Sequence, residues 1–292
     1  MTVDPICEAR RAGLDRRAAA RYVLGRRTPE GGFCYYRTPR WGVEEPNAPD
    51  TLAALASLRL LDITAPQPEA TAYWLRGLQD ERGGYPSLII GWAALRALGL
   101  LGLSPQRSPQ EWLAGWARRL LGERQNTVRD WHAALDGVLH LVELLDLEPG
   151  QRTAVAYLLA ESVDPQGGWA LPGADMQTTA VALALAERAG VAPPDLDNIA
   201  TFLRGCEQAA LGVQLRPDAQ VTTVGTLWGG LAVAAALGVL PRYPAAISLN
   251  LALLQRRDGG LGARHGAVST LRDTWRGLWA AHLLDESKER RS

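Results

Sequence analysis

Cysteine is scarce in this chain. The 292 residues include three, Cys7, Cys34 and Cys206. No two form a CxxC pair, so neither a disulfide framework nor a cysteine metal clip organises the fold. They read as free thiols of a reducing compartment. Net charge is also lacking, since 31 basic side chains balance 31 acidic ones. That removes the electrostatic footprint of a nucleic-acid binder. The longest apolar run, "TLWGGLAVAAALGVL" from Thr226 to Leu240, falls short of the ~20 residues of a membrane span and suits a buried helix. The opening stretch "MTVDPICEARRAGLDRRAAARYVLGRR" has no uncharged core of a signal peptide. The expectation is a cytoplasmic protein.

What is present is repetition. "PEGGF" ends at Phe33, "ERGGY" at Tyr85, "PQGGW" at Trp169 and "RDGGL" at Leu261. The first interval between these glycine pairs is 52 residues; the next two, 84 and 92, are each about twice a shorter period. Degenerate copies fill both long gaps, "LGERQNTVRDWHAALDGVL" in the first and "LRPDAQVTTVGTLWGGLAV" in the second. Six units of roughly 45 residues result, a spacing typical of helical-hairpin repeats. Their limits are near 13–62, 66–102, 108–146, 148–190, 194–239 and 241–285, with a polar tail over 286–292.

Each unit has one grammar. A first helix mixes apolar and charged residues, as in "EATAYWLRGLQDER", and reads as amphipathic. A glycine turn follows, where the missing Cβ permits positive φ. A second helix, such as "GWAALRALGLLGL" or "TTAVALALAERAG", is apolar nearly all round and must be surrounded by protein. Alternation of exposed and buried helices predicts an all-α (α/α)6 toroid forming a single domain. An open solenoid needs polar caps, and the apolar helix from Leu271 to Leu284 offers none. All inner helices would then start at one rim. Their unpaired N–H groups and partial positive charges would make that rim attract anions above an apolar cavity.

An outer helix often ending in Gln (Gln79, Gln208, Gln255), then GGx, then an inner helix such as "DTLAALASLRLLD", resembles the repeat of the terpenoid cyclase and protein prenyltransferase superfamily. The resemblance covers essentially the whole chain. It implies an aromatic-lined cavity for isoprenoids and, as in prenyltransferase β subunits, one toroid. Those subunits pair with an α subunit, so a helical partner stays open.

The family's fifth-repeat stretch aligns without gaps on "LRPDAQVTTVGTLW". Its diphosphate-binding arginine falls on Arg216 and its tryptophan on Trp228. Its zinc-ligating aspartate and cysteine fall on Thr222 and Val224, and its zinc histidine on Arg276. None of the three residues found there supplies the S, N or O⁻ donor that zinc needs. His132 and His140, eight residues apart, do not rebuild the site. The resemblance therefore implies no zinc and no other cofactor, with a Mg²⁺ beside the diphosphate left open. The DxDD acid of the cyclase branch is absent as well. "NAPDT" (Asn47 to Thr51) keeps only its end, and "DLDN" (Asp195 to Asn198) opens an outer helix.

The residues that could carry chemistry follow from this frame. Arg129, Arg216, Arg272 and Arg276 lie at or near inner-helix starts, and Arg264 with His265 in the last loop. They would clamp a diphosphate, because guanidinium forks match phosphate oxygens; the alternative is ordinary ion pairing. Gln177 stands where the prenyltransferases carry a diphosphate-binding histidine. Trp131, Trp228, Trp275 and Trp279, together with Trp92, would line the cavity and stabilise a carbocation, or simply pack. Asp50, Asp175 and Asp273 precede inner helices, as N-caps or as acid, base or Mg²⁺ ligands. "GCEQ" (Gly205 to Gln208) resembles a thioester motif by chance. The resulting expectation is a zinc-independent prenyltransferase-like enzyme acting on an isoprenyl diphosphate held at an Arg-rich mouth. The alternatives are a terpene cyclase-like enzyme and a non-catalytic isoprenoid or lipid binder.

Overall fold

The computed structural model describes residues 13–34, 45–122, 130–170 and 173–290. Among them run twelve helices: α1 (Arg16–Leu24), α2 (Ala48–Leu60), α3 (Pro68–Arg76), α4 (Leu88–Leu100), α5 (Gln110–Leu121), α6 (Trp131–Val142), α7 (Pro149–Ser162), α8 (Met176–Ala189), α9 (Leu196–Cys206), α10 (Val224–Ala236), α11 (Pro244–Leu254) and α12 (Leu271–Glu289). The even-numbered helices form an inner ring. Each packs on the next, and α12 returns to pack on α2. The toroid is therefore closed. Each odd-numbered helix leans on the inner helix that follows it. The junction between α4 and α6 is the loosest of the six.

The inner helices begin alike because the sequence caps each of them. Asn47, Ser87, Asp130, Asp175, Thr223 and Thr270 each accept a backbone N–H from the first turn of the helix they precede. The starts also sit side by side. Met176 N donates to Leu215 O in the loop before α10, and Val224 N donates to Ala263 O in the loop before α12 (2.9 and 3.0 Å).

The glycine turns act as sockets between units. Gly31, Gly83, Gly167 and Gly259 hold φ between 82° and 102°. A Cβ on any of them would strike the backbone of the next unit's outer helix or its lead-in: Ala70, Ser108, Asn198 and, closing the circle, Ala18. The fifth unit, which has no Gly-Gly pair at its turn, uses Gly212 (φ 79°) against Ile247 of α11. The third unit's counterpart lies outside the described residues.

Glutamine and threonine side chains of the repeat fasten these sockets, both together at the Gly259 turn. Gln255 Nε2 donates to Gly259 O and to Asp15 O (both 2.8 Å), while its Oε1 accepts from Asp15 N (2.8 Å). Gln79 makes the same three bonds to Gly83 and Arg107. Thr51, Thr179 and Thr274 accept the N–H of the residue after the glycine pair, Phe33, Trp169 and Leu261 (3.0 to 3.1 Å). Each also donates to the carbonyl of its helix cap. The recurrence of the GGx and D-T signatures is thus a hydrogen-bonding pattern that pins these three turns to their inner helices.

Two antiparallel hairpins of two-residue strands ornament these turns, β1 (Glu207–Gln208) with β2 (Gly212–Val213) and β3 (Leu261–Gly262) with β4 (Ser269–Thr270). Helix α12 runs to Glu289, into the stretch expected to be a polar tail. Ser287 is buried there, and Asp285 pairs with Arg16 of α1 (2.8 Å).

Candidate functional site

The rim differs from the expected anion-attracting ring. Every inner-helix start already has a capping side chain, and two of the six caps, Asp130 and Asp175, are carboxylates. Asp50 and Asp273 do not precede their helices. They stand in the first turns of α2 and α12 and bond back to the caps Asn47 (2.6 Å) and Thr270 (2.8 Å). Those caps, three residues upstream, start the helices earlier than expected. Four carboxylates at the rim oppose an anion there. A second place, cationic, lies one turn further along α12.

Arg276 defines that place. Its guanidinium lies over the Trp228 ring at 4.9 Å, and its Nη1 reaches Gln177 Oε1 at 3.4 Å. Arg276 thus extends from α12, across the front of α10, to the start of α8. Gly225 makes room for this contact, because a Cβ there would collide with the Gln177 amide. No carboxylate among the described residues approaches Arg276 within salt-bridge distance. Burial, and then the like charge of Arg272 one turn away, hold its pKa down to about 10. It stays charged at neutral pH, partly buried, with the charges of Asp136 and Asp273 acting on it but neither paired to it directly.

An aromatic wall adjoins this charge. Trp279 sits 5.4 Å from Trp228 and 5.8 Å from Trp275, the latter pair stacked. Trp275 and Trp279 keep partly open faces although α12 is flanked by both α10 and α2. The buried Trp228 Nε1–H has no hydrogen-bond partner, which costs about 1–3 kcal/mol until an acceptor arrives.

Helix α6, opposite α12 in the ring order, contributes a polar stripe. Asp136 and His140 lie 3.7 Å apart, and the Asp136 charge acts on Arg276 while Arg272 acts on His140. Burial lowers the His140 pKa below its ordinary value. Trp92 of α4 stacks on His140 at 3.9 Å and donates its N–H to Glu143 at 2.6 Å. No local pattern in the chain marks this stripe, because its charges meet those of α12 only in the closed ring.

The remaining candidates are dispersed. Arg216 is exposed, its guanidinium beside Gly173, and Arg264 and His265 are exposed on the last loop. Trp131 opens α6 half-buried. Arg129 lies outside the described residues. Trp169 is wholly buried and its N–H is bonded to Leu159 O, so it is a turn anchor. The "GCEQ" thiol is no nucleophile: burial pushes the Cys206 pKa up to about 12.

The positions that would carry zinc do not fit the metal. Thr222 faces Thr226 at 3.4 Å, Val224 is an apolar buried residue, and Arg276 brings a cation. Among the described residues no group of three His, Cys, Asp or Glu gathers where it could hold a metal ion. No described helix is long and apolar enough to cross a membrane.

No protein-family model matches this chain, and no curated protein matches its sequence. Solved structures do match. Protein geranylgeranyltransferase-I of Candida albicans, complexed with GGPP, superposes with a TM-score of 0.67 at 11% identity, covering 94% of this chain and 93% of that one. A protein from Actinoplanes gives 0.58 at 18% identity over 93% and 100%. The type II terpene cyclase MstE of Scytonema, in complex with geranylgeranyl dihydroxybenzoate, gives 0.57 at 16% over 97% and 98%. The chain therefore has the fold of the terpenoid cyclase and protein prenyltransferase superfamily.

Proposed function

We propose that this protein binds an isoprenyl diphosphate inside its inner ring, with the diphosphate on Arg272 and Arg276 and the hydrocarbon against Trp275, Trp279 and Trp228. The observation that carries this reading is the desolvated Arg276 guanidinium held between an aromatic face and the Gln177 amide. A desolvated cation with no direct salt-bridge partner is costly, and a diphosphate would relieve that cost with charge-assisted hydrogen bonds.

In the reaction we favour, the allylic C–O bond breaks and the guanidinium pair stabilises the charge developing on the departing diphosphate. The tryptophan faces stabilise the cation left behind, and an acceptor captures it. This is prenyltransferase-like chemistry that needs no zinc; a Mg²⁺ bridging the diphosphate remains compatible with it. Arg216 and Arg264, exposed on flanking loops, would serve in capture of the anion rather than in holding it.

The test is a thermal shift with geranyl, farnesyl and geranylgeranyl diphosphates, each beside its alcohol and repeated with EDTA. Ligands that bind only the native state raise its melting temperature. Stabilisation by a diphosphate but not by its alcohol, unchanged by EDTA, is the expected result. Equal stabilisation by alcohol and diphosphate would point to a carrier of neutral isoprenoids instead.

A further inference from the structure

A chain that cannot hold zinc at Thr222, Val224 and Arg276 cannot use zinc there to make its acceptor a better nucleophile. In prenyl transfer the acceptor must still lose a proton. One group on the inner ring has the geometry to take it.

His132 stands in the first turn of α6, and its Nδ1 lies 3.0 Å from Thr178 Oγ1 on α8. Thr178 has one hydroxyl proton, and that proton goes to Asp175 Oδ2 at 2.8 Å. The other oxygen of Asp175 accepts the N–H groups of Gln177 and Thr178, both at 2.9 Å. The carboxylate is acceptor-only and fixed on both sides. With its proton committed to Asp175, Thr178 can only accept from the imidazole. Nδ1 must therefore carry the hydrogen, which leaves the Nε2 lone pair free. Among the described residues Nε2 makes no hydrogen bond.

The place of that nitrogen follows from the partner of Nδ1. Thr178 stands at the start of α8 beside Gln177, the residue that Arg276 reaches at 3.4 Å. Asp136, one turn along α6 from His132, adds its charge to Arg276. A substrate with its diphosphate on Arg276 would thus have its allylic carbon near His132. Asp175, often a mere cap, here holds the imidazole through Thr178.

Resting on the diphosphate reading above, we infer that His132 is the proton acceptor of the reaction, oriented by the Thr178–Asp175 pair, and that the acceptor is a hydroxyl compound. The allylic C–O bond breaks and its electron pair leaves on the diphosphate. The hydroxyl oxygen, that of water in the simplest case, bonds to the allylic carbon. Its O–H bond breaks and the proton passes to His132 Nε2, from which solvent removes it. Nothing is oxidised or reduced. Thr178 and Asp175 are positioning residues.

The experiment has two arms on the full chain. In the first, diethyl pyrocarbonate modification of each histidine is mapped with and without geranylgeranyl diphosphate, for the wild type and Arg276→Gln. His132 is expected to react, and to be protected by the diphosphate in the wild type only, while exposed His265 and His282 react throughout. In the second, release of inorganic diphosphate is followed with water or phenol as acceptor. His132→Gln should still be stabilised by the diphosphate but release it at least ~100-fold more slowly, as loss of a general base does. Thr178→Val should slow release too, and ¹⁵N shifts should show its imidazole losing the Nδ1–H tautomer seen in the wild type.

Diphosphate binding without protection of His132 overturns the inference alone. So does an Nε2–H tautomer in the wild type, release by His132→Gln at the wild-type rate, or no release by the wild type at all. Failure of any diphosphate to stabilise the wild type overturns the binding reading and this inference with it.

Discussion

At the scale of single residues, the chain spends its unusual features around Arg276. Its guanidinium is desolvated beside Arg272 and, among the described residues, no carboxylate pairs with it directly. Arg276→Gln should therefore leave the ligand-free melting temperature unchanged or raised, since removing an unpaired buried charge is often stabilising. The same substitution should weaken diphosphate binding tenfold or more, about 1.4 kcal/mol, as titration calorimetry would read it. Gly225→Ala tests the neighbouring contact. Its Cβ would push the Gln177 amide aside, so diphosphate affinity should fall severalfold with little change in secondary structure by circular dichroism. Thiol chemistry supplies a third expectation. The thiolate is the reactive form, and burial pushes the Cys206 pKa up to about 12. Cys206 should resist Ellman's reagent at pH 8 in the native protein and react once it is unfolded. Labelling of native Cys206 at that pH would contradict the burial described.

At the scale of elements, the seams between units carry the argument. The clamp of Gln255 on Asp15 and the socket of Gly259 against Ala18 join the last unit to the first. Gln255→Ala should cost about 1 kcal/mol in urea unfolding, since its bonds are partly open to water. Gly259→Val should cost about 2–4 kcal/mol, because it adds both positive-φ strain and overlap.

The loosest seam, between α4 and α6, is bridged by the stack of Trp92 on His140. Burial lowers the His140 pKa, opposed by Asp136 and Glu143 and reinforced by Arg272. The unfolded chain then binds the proton more readily than the native one. Stability should be full above the unfolded value of about 6.5 and fall as the pH drops below it. His140→Phe should flatten that acid limb in melting curves taken between pH 7.5 and 5; an unchanged limb would assign it to other groups.

These elements also show what the sequence displayed and what it hid. Glycine pairs, D-T signatures and terminal glutamines stand at fixed places along the chain, because each serves a socket repeated around the ring. The toroid was legible from them. Helix starts were less so. Asp50 and Asp273 were expected ahead of their helices, yet Asn47 and Thr270, three residues earlier, are caps of equal quality and win by bonding both to the helix and to the aspartate. The links between Arg276 and Gln177, and between His132 and Thr178, join residues 99 and 46 positions apart. No local pattern encodes such pairs. They exist only once α6, α8 and α12 stand in one ring.

At the scale of the whole molecule, closure is what turns six similar hairpins into a site. In an open array α2 and α12 would each leave an apolar face in water. Closing the ring covers both faces and sets Arg272 and Arg276 of α12 across the ring from α6, whose Asp136 acts on Arg276. The most direct measurement is a crystal structure of the protein with geranylgeranyl diphosphate. The account predicts the diphosphate within hydrogen-bond distance of Arg272 and Arg276, with the chain along Trp275 and Trp279. A diphosphate held instead at the exposed Arg216 or Arg264, with the inner ring empty, would contradict it.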